Sequence, residues 1–274
     1  MPQITSEKNP KIQRIIRLRE KARQRSMERL FVIEGIREIT LALKGGYRLT
    51  EIFFCRRLAR QDALAALKAN NPKATWVEIS ENAYEKIAMR ETTEGVIAVA
   101  EMRDIKLEQI KLAENPFLLV VESVEKPGNL GALLRTTDAA ALDAVLVCDP
   151  HADLFSPNVI RSSLGCLFTQ QIAFCTAQEA ISWLRKKGVK ILAATPGNAR
   201  HYASVDFTQP AAIVVGSEAT GLSSEWLREA DAKIFIPMRG VIDSLNVSVS
   251  AAIILFEAVR QRQLLPGIPK WKGH

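Results

Sequence analysis

The chain has 274 residues, of which 47% are hydrophobic and 24% charged, the balance of an ordinary globular protein rather than a disordered or fibrous one. That length suits two domains, each large enough to bury a core. No apolar run reaches the ~18 residues of a membrane span, and the start MPQITSEKNP has no apolar signal-peptide core, so the expectation is a cytoplasmic protein without a membrane partner.

The formal charge of +7 is concentrated at one end. Residues 1–60 hold fifteen Lys and Arg against six Asp and Glu, a net of +9, which leaves the remainder at −2. Residues 8–24 read as a basic helix with a partial apolar face at Ile12, Ile15, Ile16 and Leu18. Lys11, Arg14, Arg17, Lys21, Arg23 and Arg25 are its candidate RNA contacts. Charge runs usually form solvated helix faces. Here few carboxylates answer the cations, and such a surface suits polyphosphate, because each Lys or Arg releases condensed counterions. An anionic membrane is the poorer partner, since the apolar face lacks Trp and Phe.

Strand and helix then alternate: LFVIEG (30–35), a helix over 36–44 stopped by Gly45-Gly46, EIFFC (51–55), a helix over 59–69, ATWVEI (74–79), a helix over 80–88 capped by Ser80, and GVIAVAE (95–101). Residues 1–101 are thus expected to form a small α/β domain, and the charged, weakly patterned residues 102–115 a linker. The alternation resumes in residues 116–274 with strands at 117–124, 144–149, 168–175, 189–195, 211–216 and 232–238, and helices at 130–141, 158–164, 177–187, 223–229 and 245–262. The nearly continuous apolar run AAIVVG is what a parallel strand covered on both faces requires. Ligands of such sheets bind in loops at the carboxyl ends of strands.

Cys55, Cys148, Cys166 and Cys175 form no C-x-x-C pair, and three of them sit in apolar strand-like runs. They read as free buried thiols, with no metal expected. His151, His201 and His274 stand in contexts that do not suggest a histidine-driven triad.

Three strand-end loops carry polar clusters. In VEKPGNLGALLR, Asn129 is read as a helix cap, and Gly128 and Gly131 leave an open shelf beside Arg135. In VVGSEATGLSSE, Gly216 and Gly221 flank Ser217, Glu218 and Thr220 directly after a buried strand, where glycine allows close ligand approach. In IFIPMRGVIDSLNVSVSAAIILFEAV, Ser244 is read as the cap of the last helix and Asn246 as a residue of its first turn. Singly, each loop is equally a turn with a cap. No G-x-G-x-x-G fingerprint and no G-x-x-x-x-G-K-[ST] loop is present, which disfavours a common nucleotide site.

In this order the clusters resemble the SpoU (TrmH-type) branch of the SPOUT RNA methyltransferases. The resemblance rests on Asn129-Leu-Gly131-Ala-Leu-Leu-Arg135, Arg161-Ser-Ser-Leu-Gly165, Gly216-Ser-Glu218-Ala-Thr-Gly221-Leu, and Ile236-Pro-Met-Arg-Gly240 continuing to Ser244-Leu-Asn-Val-Ser248. It covers residues 113–265, and more loosely the first hundred residues through Asn9-Pro10, Arg23, Phe31-Val-Ile-Glu-Gly35 and Glu94-Gly95-Val96. It implies an α/β fold with a SPOUT-type parallel sheet and a C-terminal deep trefoil knot, preceded by a small α/β substrate-binding domain. It further implies a homodimer, S-adenosylmethionine as cofactor, and methylation of a ribose 2′-hydroxyl in structured RNA, with 23S rRNA favoured over tRNA. By motif matching, Thr195, Gly197, Gly216, Ile236 and Leu245 would line the cofactor, and Asn129, Arg135, Glu218, Ser244 and Asn246 would surround the reacting ribose. The resemblance implies Arg135 as general base, but arginine stays protonated at ordinary pH; Arg135 is therefore expected to bind phosphate and stabilise the developing oxyanion, the other reading being a site that lowers its pKa sharply. Two other readings remain: a non-catalytic RNA-binding protein of the same fold, which would not need the polar set together, and an enzyme on another nucleotide cofactor.

Overall fold

The computed structural model describes residues 3–89, 94–103, 106–150, 152–197 and 199–263; His151 and His274 fall outside this set. The first part holds α1 (Pro10–Glu20), α2 (Ala22–Glu28), β1 (Leu30–Glu34), α3 (Ile36–Lys44), β2 (Leu49–Phe54), α4 (Gln61–Asn70), β3 (Thr75–Glu78), α5 (Glu81–Ile87) and β4 (Val96–Glu101). Then follow β5 (Phe117–Glu122), α6 (Pro127–Ala139), β6 (Ala144–Cys148), α7 (Pro157–Ser162), β7 (Ile172–Cys175), α8 (Ala177–Lys186) and β8 (Lys190–Ala194). The chain continues through β9 (Arg200–His201), β10 (Ala211–Val215), α9 (Ser224–Glu229), β11 (Ala232–Phe235) and α10 (Val247–Gln263). It divides into two compact units, Met1–Arg103 with Asp153–Thr169, and Asp104–Ala152 with Gln170–His274. No described helix is long and apolar enough to cross a membrane.

In the first unit the sheet runs β1-β4-β2-β3. β4 lies between β1 and β2 and is antiparallel to both, while β2 and β3 are parallel. Its five residues Val96 to Ala100 are all 0% exposed, as a central strand covered on both faces must be. The basic segment is two helices rather than the one expected over 8–24. Asn9 caps α1 by accepting from the Lys11 N–H at 2.9 Å, and Ile12, Ile15 and Leu18 are buried at its helical spacing. The helix breaks at Lys21 (φ −115°, ψ 111°). Arg25 fixes that elbow. Its Nη1 donates to the carbonyls of Leu18 at 2.6 Å and Arg19 at 2.9 Å, the last turn of α1, and its Nε to Asp153 at 2.7 Å. The segment 153–169 is held in this unit by Asp153 and by aromatic packing, with Phe31 against Phe155 at 4.6 Å and Phe168 at 5.8 Å between ring centroids.

That packing shortens an expected strand. Residues 166–168 form a 3-10 turn after Gly165 (φ +81°), and only Ile172–Cys175 pair in the sheet. Gln170 turns its side chain to the Leu134 carbonyl at 2.6 Å and Thr137 Oγ1 at 2.6 Å instead of extending the strand.

The second unit is an α/β fold on a seven-stranded sheet of order β7-β6-β5-β10-β8-β11-β9. All its named pairings are parallel. Strands β5, β6 and β7 are laid down in one direction; β8 starts the other half, and β10 enters between β5 and β8. The strand order therefore reverses at β5/β10, where an open α/β sheet leaves a crevice beyond its carboxyl ends. α10 returns to pack against α6 and β10.

Candidate active site

Beyond the carboxyl ends of β8, β10 and β11, next to that reversal in the strand order, lies a cavity of about 450 Å³. Its walls are the residues that leave the strands: Thr195 after β8, Gly216 after β10, Ile236 and Met238 after β11, then Ser244 and Leu245 before α10. The expected strand over 232–238 stops at Phe235, so Ile236 and Met238 belong to irregular chain free to line it. Apolar side chains of Leu222, Leu227, Ile234 and Ile254 complete the lining. Of the five cofactor residues expected, Thr195, Gly216, Ile236 and Leu245 meet here. Gly197 does not; it is exposed, with nothing within 4 Å of where a Cβ would stand.

Gly216 is dictated sterically, because a Cβ would fall 2.2 Å from the Gly221 carbonyl oxygen. The 216–221 loop is closed by Ser217, whose Oγ lies 2.8 Å from Thr220 Oγ1 and accepts from the Thr220 N–H at 3.1 Å. Gly221 takes φ +67°, which glycine tolerates without strain. Beneath, the buried Glu122 at the end of β5 accepts from the Ser223 N–H at 2.8 Å and ties the loop's exit to the sheet.

Glu218 joins the three loops. Its Oε1 accepts from Asn129 Nδ2 at 2.7 Å and from Asn246 Nδ2 at 2.6 Å. Asn246 Nδ2 also reaches Asn129 Oδ1 at 3.1 Å. Lys126 Nζ lies 3.2 Å from the other carboxylate oxygen. A second cavity of about 270 Å³ opens on Lys126, Asn129 and Glu218.

The capping expectations need correction. α6 begins at Pro127, a residue suited to the first helical position, so Asn129 lies in the first turn and its amide is free to cross to Glu218. Asn246, rather than Ser244, caps α10: its Oδ1 accepts from Ser248 N–H at 3.0 Å and Ser248 Oγ at 2.6 Å. Ser244 lines the cavity, and its Oγ donates to Asp243 Oδ1 at 3.4 Å.

Arg135 stands apart. It is exposed on α6, lines neither cavity, and has no hydrogen bond or ion pair among the described residues. Gly131 is buried, so no open shelf lies beside the guanidinium. Lys126 and Glu122 were not singled out in the sequence; the one available signal was position, at or just after the end of β5.

The basic elements also sort differently. Arg17, Lys21 and Arg23 are exposed. Lys11 pairs with Glu51 at 3.3 Å, and Arg14 with Glu51 at 2.8 Å and Glu28 at 2.6 Å. Burial pushes the Glu28 carboxyl up, but hydrogen bonds from Arg14 and Gln24 outweigh it and hold the group below its ordinary value. Arg25, expected to face RNA, is 4% exposed and committed to Asp153 and two carbonyls; it is a structural residue.

All four cysteines are free thiols. Among the described residues no group of three or more His, Cys, Asp or Glu is placed to hold a metal.

The profile of the SpoU rRNA Methylase family matches residues 116–256, and that of the MRM3-like substrate binding domain matches residues 9–98. The chain is 30% identical over 256 residues to the 23S rRNA (guanosine(2553)-2′-O)-methyltransferase of Bacillus subtilis (strain 168), covering 93% of this chain and 98% of that one. It is 38% identical over 177 residues to the tRNA (guanosine(18)-2′-O)-methyltransferase of Thermus thermophilus, covering 64% of this chain and 87% of that one. A crystal structure of an AdoMet-bound rRNA methyltransferase from Sinorhizobium meliloti superposes with a TM-score of 0.87 at 29% identity, over 96% of this chain and 98% of that one. The chain belongs to the SpoU rRNA methylase family.

Proposed function

We propose that this protein transfers a methyl group from S-adenosylmethionine to a ribose 2′-hydroxyl of 23S rRNA. The observation that carries the reading is the junction of Asn129, Glu218 and Asn246, brought from three loops to one carboxylate beside the 450 Å³ cavity. The cavity fits the cofactor: backbone at three strand ends and before α10 can hold polar groups, apolar side chains can take a flat ring, and Gly216 leaves no room for a Cβ. Thr195, Gly216, Ile236 and Leu245 would hold it, mainly through backbone atoms. Bound there, S-adenosylmethionine supplies an already activated methyl group.

The chain must then orient a ribose and accommodate a lost proton. Orientation by a preformed polar set is worth several kcal/mol of barrier. Asn129 and Asn246 share the work, their amides locked in one arrangement by Glu218 and by each other. Glu218 already accepts two amide donors and faces an ammonium, which makes it a positioning carboxylate rather than a base. Arg135 remains charged and binds phosphate or the developing oxyanion. Since it does not line the cavity of its own chain, it serves the cavity of a second copy.

A homodimer supports that arrangement. α10 leaves Val249 and Phe256 47% and 48% exposed on one face, and Ile242 in the preceding loop is 61% exposed. The insertion of β10 between β5 and β8, with α10 returning to α6, supports a C-terminal trefoil knot. An rRNA target is favoured over tRNA because the rRNA enzymes match this chain nearly end to end, whereas the tRNA enzyme matches 64% of it. Such a target also accounts for a cytoplasmic location. The retained polar junction disfavours a purely RNA-binding role. Calorimetric titration with S-adenosylmethionine, followed by methyl transfer to unmodified 23S rRNA, tests the proposal; absence of both overturns it.

A further inference from the structure

The Arg161-Ser-Ser-Leu-Gly165 segment takes no part in either cavity just described. It is nevertheless built with care. Ser163 is 0% exposed, and its Oγ donates to the Ile160 carbonyl at 3.0 Å. Leu164 and Gly165 both take left-handed φ, +54° and +81°. A Cβ on Gly165 would stand 3.0 Å from Leu41 Cδ1 and 3.3 Å from Glu38 Cα, so the turn is pressed onto α3 and a side chain there would be strained. These constraints fix α7, and α7 presents Asn158 and Arg161.

Both side chains line a separate cleft of about 310 Å³ within the first unit. Its other walls include Arg19 and Met89. Arg19 is anchored through Nη1 to the Lys86 and Ala88 carbonyls at 3.2 and 3.1 Å. The carboxylates present are engaged: Glu20 pairs with Arg19 at 2.7 Å, and Glu34 accepts from the Met89 N–H at 2.9 Å. The buried Arg25, paired with Asp153, holds the α1–α2 elbow that forms one side. Arg161, by contrast, is exposed, and its side chain has no hydrogen bond or ion pair among the described residues. Lys21 and Arg23 lie exposed immediately beyond Glu20 in the chain.

This combination suits one ligand chemistry. A guanidinium without a protein partner, carried on a fixed helix, binds phosphate in bidentate fashion. A Met side chain and the Pro157 ring beside it offer a flat apolar surface, and the Asn158 amide offers a donor and an acceptor to a base edge. Proteins read RNA chiefly through unpaired nucleotides splayed into such clefts. We propose that this cleft holds one unstacked nucleotide of the substrate RNA, its phosphate on Arg161, its base against Met89 and Pro157, and its edge on Asn158. The proposal rests on the RNA-modifying function above and assigns the first unit a nucleotide subsite distinct from the methyl-transfer cavity.

The test is equilibrium binding of full-length protein to in vitro transcribed 23S rRNA, with a transcribed tRNA in parallel, without cofactor and over a range of salt. Arg161→Ala is expected to weaken binding about tenfold and to flatten the log–log salt slope by about 0.7 to 0.9, the signature of one lost phosphate contact. Asn158→Ala, which leaves the charge intact, is expected to weaken binding with the slope unchanged. In both variants S-adenosylmethionine affinity stays at the wild-type value, and methyl transfer shows a raised KM for RNA at near-normal kcat. Wild-type affinity and slope in Arg161→Ala overturn the subsite. Wild-type protein that binds RNA with the Arg161 dependence but transfers no methyl group overturns the function and leaves the subsite standing.

Discussion

Glu218 distinguishes a positioning carboxylate from a base. It accepts two amide hydrogen bonds on one oxygen, at 2.7 and 2.6 Å, and faces Lys126 at 3.2 Å on the other. Hydrogen bonds to a charged group contribute about 1.5–3 kcal/mol each. The pair with Lys126, whose side chain is 74% exposed, adds at most about 1 kcal/mol. Glu218→Ala therefore removes roughly 3 kcal/mol of preorganisation, or about a hundredfold in rate. Glu218→Gln keeps a carbonyl oxygen that can accept from both asparagines, as neutral bonds worth about 1 kcal/mol each, so its expected loss is about tenfold. Single-turnover methyl transfer at saturating cofactor measures both variants, with calorimetry to confirm that S-adenosylmethionine still binds. A general base contributes about 10²- to 10⁴-fold, and the glutamine variant of a base is as inactive as the alanine one. Equal rates for the two variants would refute the positioning role.

Four further outcomes follow from the same geometry. Arg135→Ala and Asn246→Ala are each expected to be inactive as pure proteins, yet in the proposed dimer, where each site would draw Arg135 from the other chain, mixed dimers are expected to regain activity at one site; no recovery after subunit exchange contradicts the shared site. Arg25→Ala is expected to lower stability by about 3 kcal/mol in denaturant unfolding, since it removes the ion-pair partner of Asp153 and the donor to two carbonyls; a loss below about 1 kcal/mol contradicts its structural assignment. Replacing Arg17, Lys21 and Arg23 together by Ala is expected to flatten the salt slope of RNA binding by about 2 to 3, and an unchanged slope removes them from the RNA path. Glu28 has a carboxyl held below its ordinary value of 4.5 in the folded chain, so it contributes stability that is fully present above that value and lost as pH falls through the lower folded value; Glu28→Gln is expected to unfold more readily than wild type at neutral pH, with the difference shrinking in acid, and a constant difference contradicts this.

The sequence carries the elements whose cause is local. The helix over 36–44 stops where Gly45 stops it, and Ser80 accepts from the Ala83 N–H at 3.3 Å as a cap should. The all-apolar runs of β4, β5 and β10 are buried as central strands. What fails has its cause elsewhere in the chain. The elbow at Lys21 depends on Arg25 meeting Asp153, 128 residues away. The expected strand from 168 is shortened because Phe168 belongs to an aromatic cluster and Gln170 to the carbonyl of Leu134.

The site shows the same division. Glycine-flanked polar loops at strand ends were legible, and Asn129, Glu218 and Asn246 do meet. Their partnership was not, since it requires the β5/β10 reversal that only strand order reveals. Cap identity turned on small offsets: Pro127 moved the start of α6 ahead of Asn129, and Asn246 displaced Ser244. Nor does a list of basic residues distinguish the exposed Arg17 from the buried Arg25; that difference lies in which cations find carboxylates and carbonyls in the folded chain.

The most direct test of the methyltransferase reading is ribose-methylation mapping of total RNA from cells with and without this protein. The account predicts that one 2′-O-methylated nucleotide of 23S rRNA disappears without it, returns with the wild-type chain, and does not return with Arg135→Ala. An unchanged methylation map in every RNA, or restoration by Arg135→Ala, would contradict it.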